Sequence, residues 1–274
     1  MNRSMVQRLP ALALGALLLV GAAVHAEPAV ANDDDPINPD RPGIADGSNV
    51  VGAGRFQIEM GIQQENRKSA GTDTRTLFIP TLLRFGLGKN LELRVEGNTY
   101  TWTKESSPGQ GATRSKGMAP TSIGFKIHFA DAIDSQRPSL GAIVRFFPRS
   151  GTGDLRTSRA TGDLRIAADW DISPQWSLNP NIGIGLYEDD AQRLYTAGLA
   201  ALTLTYISSK ALSLFIDTGL QFPETKHGRT AAIIDIGAAY VIGQDLQLDF
   251  SAGSRAAGET PARFFWSAGI SRRF

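Results

Sequence analysis

Apolar and polar side chains alternate along most of the chain between Gly54 and Phe274. Successive side chains of an extended strand point to opposite sides, so this alternation predicts β-strands with one apolar face and one polar face. The pattern is clearest at the C-terminus, where every second residue forms a mostly apolar, aromatic-ended set: Phe264, Trp266, Ala268, Ile270, Arg272 and Phe274. The opposite face of this segment carries mostly small or charged side chains.

About twelve such segments follow one another along the chain. A single-chain bacterial membrane barrel requires an even number of antiparallel strands and a closed sheet that leaves no edge unpaired in lipid. The pattern therefore predicts an all-β fold, a transmembrane antiparallel up-and-down β-barrel over residues 54–274. We expect the strand ending in Phe274 to close on the first strand, and the barrel-assembly machinery to bind the chain through it.

The connections between these segments alternate in length. Residues 88–90, 171–175, 208–211 and 243–245 form tight turns, whereas longer polar loops occupy residues 66–73, 103–119, 148–162, 188–193, 223–229 and 254–261. Outer-membrane barrels combine short periplasmic turns with long extracellular loops. Only the link at residues 130–138 is longer than the other connections on its side, and the pattern does not explain it.

The N-terminal residues have the marks of export. Arg3 and Arg8 precede a short apolar run that ends in Val24-His25-Ala26, which predicts a secretory signal peptide over residues 1–26. Residues 27–53 are rich in Asp, Asn and Pro and predict a flexible periplasmic segment. In an alternative arrangement, this segment folds back as a plug through Asp40, Arg41 and Pro42.

Composition narrows the function classes. The 42% hydrophobic content is too low for a bundle of membrane helices, and the absence of cysteine excludes disulfides and thiol chemistry. The formal charge of +1 becomes −1 without the two leader arginines, so nothing favours nucleic acid as a partner. No residue pattern points to a metal or another cofactor.

If the apolar faces meet outer-membrane lipid, the opposite faces line the lumen. The side chains expected there carry both signs of charge: Arg84, Glu92, Arg94, Glu96, Lys126, His128, Arg145, Arg165, Asp169, Asp217, Asp235, Asp249 and Arg263. They could line a water-filled path and set its selectivity, or pair with one another and fill the interior. Passive passage of a small-molecule solute is compatible with either arrangement.

Two other functions are weighed against transport. A lipid hydrolase would need a nucleophile beside a base, but Ser122 lies about 20 Å along the strand from His128, and His227 lies in a polar loop. We therefore expect no catalytic residues and no enzyme activity. A structural or adhesive barrel could instead bind partners through its long loops, residues 103–119 above all.

Several short motifs resemble one bacterial family. They are Asp40-Arg41-Pro42-Gly43, Phe56–Gly61, Pro80–Leu87, Asn90–Arg94, Phe147-Pro148 with Gly151–Asp154, and Trp266–Phe274. Together the chain resembles the phenol-degradation (MetA-pathway) proteins, which look like outer-membrane transporters. The resemblance implies a transporter-type barrel that passes aromatic or hydrophobic compounds. Met118-Ala119-Pro120 and Arg149-Ser150 depart from the family pattern, which leaves the solute unspecified.

Overall fold

The computed structural model describes residues 36–69, 71–109, 111–189, 191–259 and 261–274. The predicted signal peptide and the start of the predicted periplasmic segment lie outside these residues. Nearly every regular element is a β-strand: β1 (Phe56–Ser69), β2 (Thr72–Gly86), β3 (Leu91–Ser106), β4 (Thr113–Gly117), β5 (Thr121–Ala130), β6 (Ser139–Phe147), β7 (Thr161–Ser173), β8 (Trp176–Glu188), β9 (Leu194–Ile207), β10 (Leu212–Phe222), β11 (Ala231–Ile242), β12 (Leu246–Ala257) and β13 (Phe264–Arg273). One 3₁₀ turn, Gly153–Leu155, lies between β6 and β7.

The strands form one closed antiparallel barrel. Consecutive strands pair with each other except β4 and β5, and β1 pairs with both β2 and β13, so the first and last strands close the sheet. Both β4 and β5 pair with β3 and together form one stave, interrupted at Ala119-Pro120. The thirteen strands therefore make the predicted twelve-stave barrel.

The barrel is apolar outside and polar inside, which inverts the arrangement of a water-soluble protein. Large apolar side chains on alternate positions are exposed, Ile182 to 65% and Ile236 to 62%, whereas Glu92 and Lys126 on the opposite faces are fully buried. Such an outward band must meet lipid, because soluble proteins rarely expose large contiguous apolar surfaces. No helix in the described part of the chain is long and apolar enough to cross a membrane.

The strands reach further on the loop side than the sequence suggested. Residues 66–73 were expected to form a loop, but β1 and β2 continue to a tight turn there, and β3 with β4 extends through most of residues 103–119. These strand ends are polar on both faces, so they lack the alternation from which strands are predicted. The long link after β5 contains a small turn closed by an Ile133–Arg137 bridge.

Candidate functional site in the barrel lumen

Residues 36–53, here called the inner segment, run inside the barrel. The Ile37 amide donates to the Gln244 carbonyl in the turn between β11 and β12. Further along, the Ile44 amide donates to Asp217, halfway up β10, and the Val51 amide donates to Glu92 near the start of β3. The segment therefore rises from the short-turn, periplasmic end to about mid-height and returns.

Asp40 joins the inner segment to three cations of the wall. Its carboxylate accepts hydrogen bonds from Lys126 Nζ at 2.9 Å and from Arg94, and lies 3.7 Å from Arg84 Nη1. Burial alone would raise the pKa of Asp40, but attraction to Arg84, Lys126 and Arg94 outweighs it and holds the pKa well below its usual value. Asp40 is therefore ionised at neutral pH and bound to three strands at once.

Arg84 also pairs with acids on the wall. Arg84 Nε lies 2.9 Å from Glu92, and Arg84 Nη1 lies 3.0 Å from Glu59. Arg84 also donates to the carbonyl groups of Asn38 and Asn49. These groups are fully buried, and a buried charge is tolerated only where ion pairs and hydrogen bonds replace its water. The result is a connected polar network that fills the periplasmic half of the lumen.

Arg41 fixes the opposite side of the inner segment. Its guanidinium donates to Asp249 at 3.0 Å and to Ser267 at 2.8 Å, while its backbone amide donates to Glu59 at 2.9 Å. Gly61 and Gly269 make room for it, because a Cβ at either position would lie within 2.6 Å of the guanidinium. Glycine is therefore needed at these two wall positions for the arginine to lie flat against β1 and β13.

Asp46 and Ser48 bind mainly the wall formed by β6 to β8, and Asp46 also contacts Arg94 on β3. Asp46 lies 3.1 Å from Arg94 and 3.2 Å from Arg165, and its amide donates to Asn181. Burial would raise the pKa of Asp46, as would nearby Asp40, but Arg94 and Arg165 lower it overall. Ser48 donates from its amide and its hydroxyl to Asp169. The inner segment is thus bound on all sides.

The remaining predicted lumen residues lie at four places along the barrel. Arg145 pairs with Asp163 at 2.7 Å and with Glu96 at 2.8 Å, in a cluster nearer the loops. His128 faces Asp131 at 2.9 Å near the periplasmic end, and Asp235 faces Asp217 across β10 and β11. Arg263 differs from the expectation, because it precedes β13 and is exposed, so its side chain lies at the barrel mouth.

A cavity of about 450 Å³ occupies the loop side of the lumen above the inner segment. Apolar side chains of the wall are Ile44, Leu199, Ile233 and Phe265, and its charged side chains include Asp235 and Arg165. Small-molecule sites have this size and this mixture of apolar wall and convergent polar groups. The inner segment forms its floor through Pro42, Gly43 and Ile44.

Several residues of the network were not singled out from the sequence. Glu59, Asp163 and Asn181 bind Arg41, Arg145 and Asp46 respectively. Glu59 and Asn181 lie on the polar faces of predicted strands, so strand alternation was the signal that could have found them. Asp46 and Ser48 gave no such signal, because they lie in a segment without periodicity.

Comparisons with known proteins agree with this architecture. The family model described as "Putative MetA-pathway of phenol degradation" matches residues 39–274. An outer-membrane channel from Pseudomonas putida F1 is similar in structure, with a TM-score of 0.64 at 15% identity over 87% of this chain and 100% of that chain. No curated protein matches the chain.

Two autotransporter domains share the barrel more loosely. The β-domain of the Bordetella autotransporter Brka has a TM-score of 0.52 at 15% identity, over 81% of this chain and 100% of that one. The translocator domain of the autotransporter NalP from Neisseria meningitidis has a TM-score of 0.51 at 14% identity, over 81% of this chain and 89% of that one. At such identities the likeness shows the fold, and with the outward apolar band it confirms an outer-membrane barrel. Because its family model spans residues 39–274, the chain belongs to the family described as MetA-pathway of phenol degradation.

Proposed function

We propose that the protein is an outer-membrane channel for passive uptake of small molecules, aromatic or hydrophobic compounds among them. The observation that carries this proposal is the cavity of about 450 Å³ inside the barrel, on the loop side of the inner segment. A solute entering from outside would reach this cavity before it meets the inner segment. The apolar side chains Leu199, Ile233 and Phe265 would contact its hydrophobic part.

In this proposal, the inner segment narrows the periplasmic half of the path. Asp40, Arg41 and Asp46 connect it to the wall by ion pairs, so the constriction depends strongly on charge. The strand ladder that closes the barrel joins β1 directly to β13. Removal of the inner segment should therefore widen the path and leave the barrel closed.

Conductance in planar bilayers tests this proposal. We expect purified full-length protein to conduct ions, and a variant lacking residues 36–53 to conduct several-fold more per molecule. Liposomes should also take up phenol-sized solutes faster with the protein than without it. Protein that stays silent at every voltage and passes no solute, in both forms, would contradict the channel.

The structure also bears on the two alternative functions. His128 interacts with Asp131 and the Ser48 carbonyl, Ser122 donates to the Glu96 carbonyl, and His227 is exposed in a loop. Within the described residues, no serine donates to a histidine, so no observation favours a lipid hydrolase. The proteins named in the comparisons are a channel and two autotransporter domains. Within the described loop residues, no contact favours an adhesive role.

A further inference from the structure

Three cations lie side by side on the outer surface, near the loop end of the barrel. Arg75 on β2 is the direct cross-strand partner of Lys104 on β3, and Lys104 is the direct partner of Arg114 on β4. All three are exposed. Directly opposed residues of an antiparallel pair have Cβ atoms about 5 Å apart, so three positive charges share one short row.

No acid that the structure describes forms an ion pair with this row. Among the described residues, none of the three cations lies within ion-pair distance of an acid, although nearby Lys68 and Arg67 pair with Asp73 and Glu65. Arg75 donates to the amide oxygen of Gln64. Like charges in direct opposition destabilise a sheet. An anion from outside the chain would remove this repulsion.

The row lies at the level of the outer-leaflet headgroups. Outward positions of β2 and the turn that follows it are apolar or uncharged from Leu87 up to Leu77. This distance of ten residues along a tilted strand is about 25 Å, the height of the lipid-facing band of such barrels. Arg75 is the next outward residue of β2. Trp102, the cross-strand partner of Leu77, is exposed where an interfacial aromatic belongs.

A groove of about 530 Å³ lies along the same surface. Arg75, Lys104 and Arg114 line it together with Lys116, and Leu77 and Trp102 supply its apolar part. Lys116 is the cross-strand partner of Trp102, so charge and apolar surface are adjacent. A ligand that fills this groove must carry negative charge at one end and hydrocarbon at the other.

We propose that the row Arg75, Lys104 and Arg114 binds the phosphate of an outer-leaflet lipid, whose acyl chains lie against Leu77 and Trp102. A phosphate monoester carries about −1.5 to −2 charges and three acceptor oxygens, which suits a row of three cations. The site lies on the lipid-facing side of the wall, so it is separate from the lumen and from solute passage.

The test uses the full chain in detergent, titrated with diphosphorylated lipid A and followed by native mass spectrometry. The triple variant Arg75→Gln, Lys104→Gln, Arg114→Gln should raise the dissociation constant at least about tenfold, because charge-assisted hydrogen bonds are lost. The matched control Arg156→Gln, Arg159→Gln, Lys226→Gln removes the same charge from exposed loops and should change it less than about twofold.

Two further ligands distinguish a lipid phosphate from free phosphate as the bound group. Lipid A without its phosphates should bind the wild-type protein weakly. Its affinity should match that of intact lipid A for the triple variant of the row. Inorganic phosphate at the same concentrations should not bind measurably, because it makes no contact with Leu77 or Trp102. Trp102→Ala should weaken lipid A binding while leaving all three cations in place.

The proposal fails if the triple variant of the row binds lipid A as tightly as the wild type does. It also fails if this variant and the matched loop control lose binding equally. Binding of inorganic phosphate as tight as that of lipid A would also overturn it. Heat-dependent gel mobility verifies that each variant is folded. If the triple variant does not fold, Lys104→Gln at the centre of the row replaces it under the same criteria.

Discussion

At the scale of single residues, Asp40 is the residue on which docking of the inner segment depends most. Its carboxylate faces Arg84, Arg94 and Lys126, which lie on three different strands. Removing one partner of a buried ion pair leaves the other charges without compensation, and this costs more than the pair itself contributes. Glu59 and Glu92 compensate only part of the positive charge that would remain.

Asp40→Asn should therefore release the inner segment. We expect a loss of about 3 kcal/mol in docking free energy, as is typical for a broken buried ion pair. The chain contains no cysteine, so Ala45→Cys gives a single reporter thiol in the buried part of the segment. Maleimide labelling of Cys at this position should become fast in Asp40→Asn and stay slow with Asp154→Asn, which changes an exposed carboxylate. Slow labelling in both would contradict the role of Asp40.

Docking should also persist in mild acid. The pKa of Asp40 is held well below its usual value of 3.8 when the segment is docked. A group with a depressed pKa stabilises the docked state fully above its ordinary pKa, and loses that contribution as the pH falls through the lowered one. Because maleimide reacts with the thiolate, labelling of the same reporter is compared with that of a free thiol at the same pH. This relative rate should stay low from pH 8 to pH 5 and rise only below about pH 4. Release between pH 7 and pH 5 would show that another group controls docking.

At the scale of elements, β13 closes the barrel and is followed by Phe274, whose side chain contributes little to packing. The Phe274 amide donates to the Phe56 carbonyl at 2.8 Å, and this backbone bond does not depend on the side chain. The ring lies 5.9 Å from that of Phe56 and stays 63% exposed. An exposed terminal aromatic of this kind is available to the assembly machinery, which we propose as its partner.

Phe274→Ala should separate assembly from stability. The loss of one partly exposed ring contact should reduce the unfolding free energy by about 1 kcal/mol at most. If the assembly machinery binds this ring, the amount of barrel in the outer membrane should fall several-fold. Phe264→Ala, at the other end of β13 and also exposed, is the matched control and should assemble normally. Equal amounts of both variants in the membrane would argue against recognition of Phe274.

At the scale of the whole molecule, stability depends on which solvent each face meets. Ile236 near the middle of β11 and Ile242 at its periplasmic end are both exposed on the outward face. The hydrocarbon core of the bilayer surrounds Ile236, whereas Ile242 lies at the membrane–water interface. The same substitution should therefore have different effects at the two sites.

Ile236→Arg should destabilise the barrel by about 2–4 kcal/mol, whereas Ile242→Arg should change stability by about 0–1 kcal/mol. Equilibrium unfolding from lipid vesicles measures both values. Equal, small effects would mean that the outward face of β11 does not meet the bilayer core.

The sequence by itself determined the strand pattern, the count of staves and the two faces of the barrel. These follow from alternation with a period of two, which is local and needs no knowledge of neighbours. The placement of Arg84, Glu92, Lys126 and Asp217 on the inner wall followed from the same alternation. Alternation failed where polar strand ends extend past the apolar band, as in β4, because neither face there needs apolar side chains.

Only the tertiary structure decided where the inner segment lies and which charges pair. Asp40 contacts Lys126, 86 positions away, and Arg41 contacts Asp249, 208 positions away, and no local pattern encodes such distances. The row of Arg75, Lys104 and Arg114 likewise depends on strand register. Closing the barrel brings the charges of the inner segment to their partners on the wall, whereas the pairing of β2, β3 and β4 aligns the row.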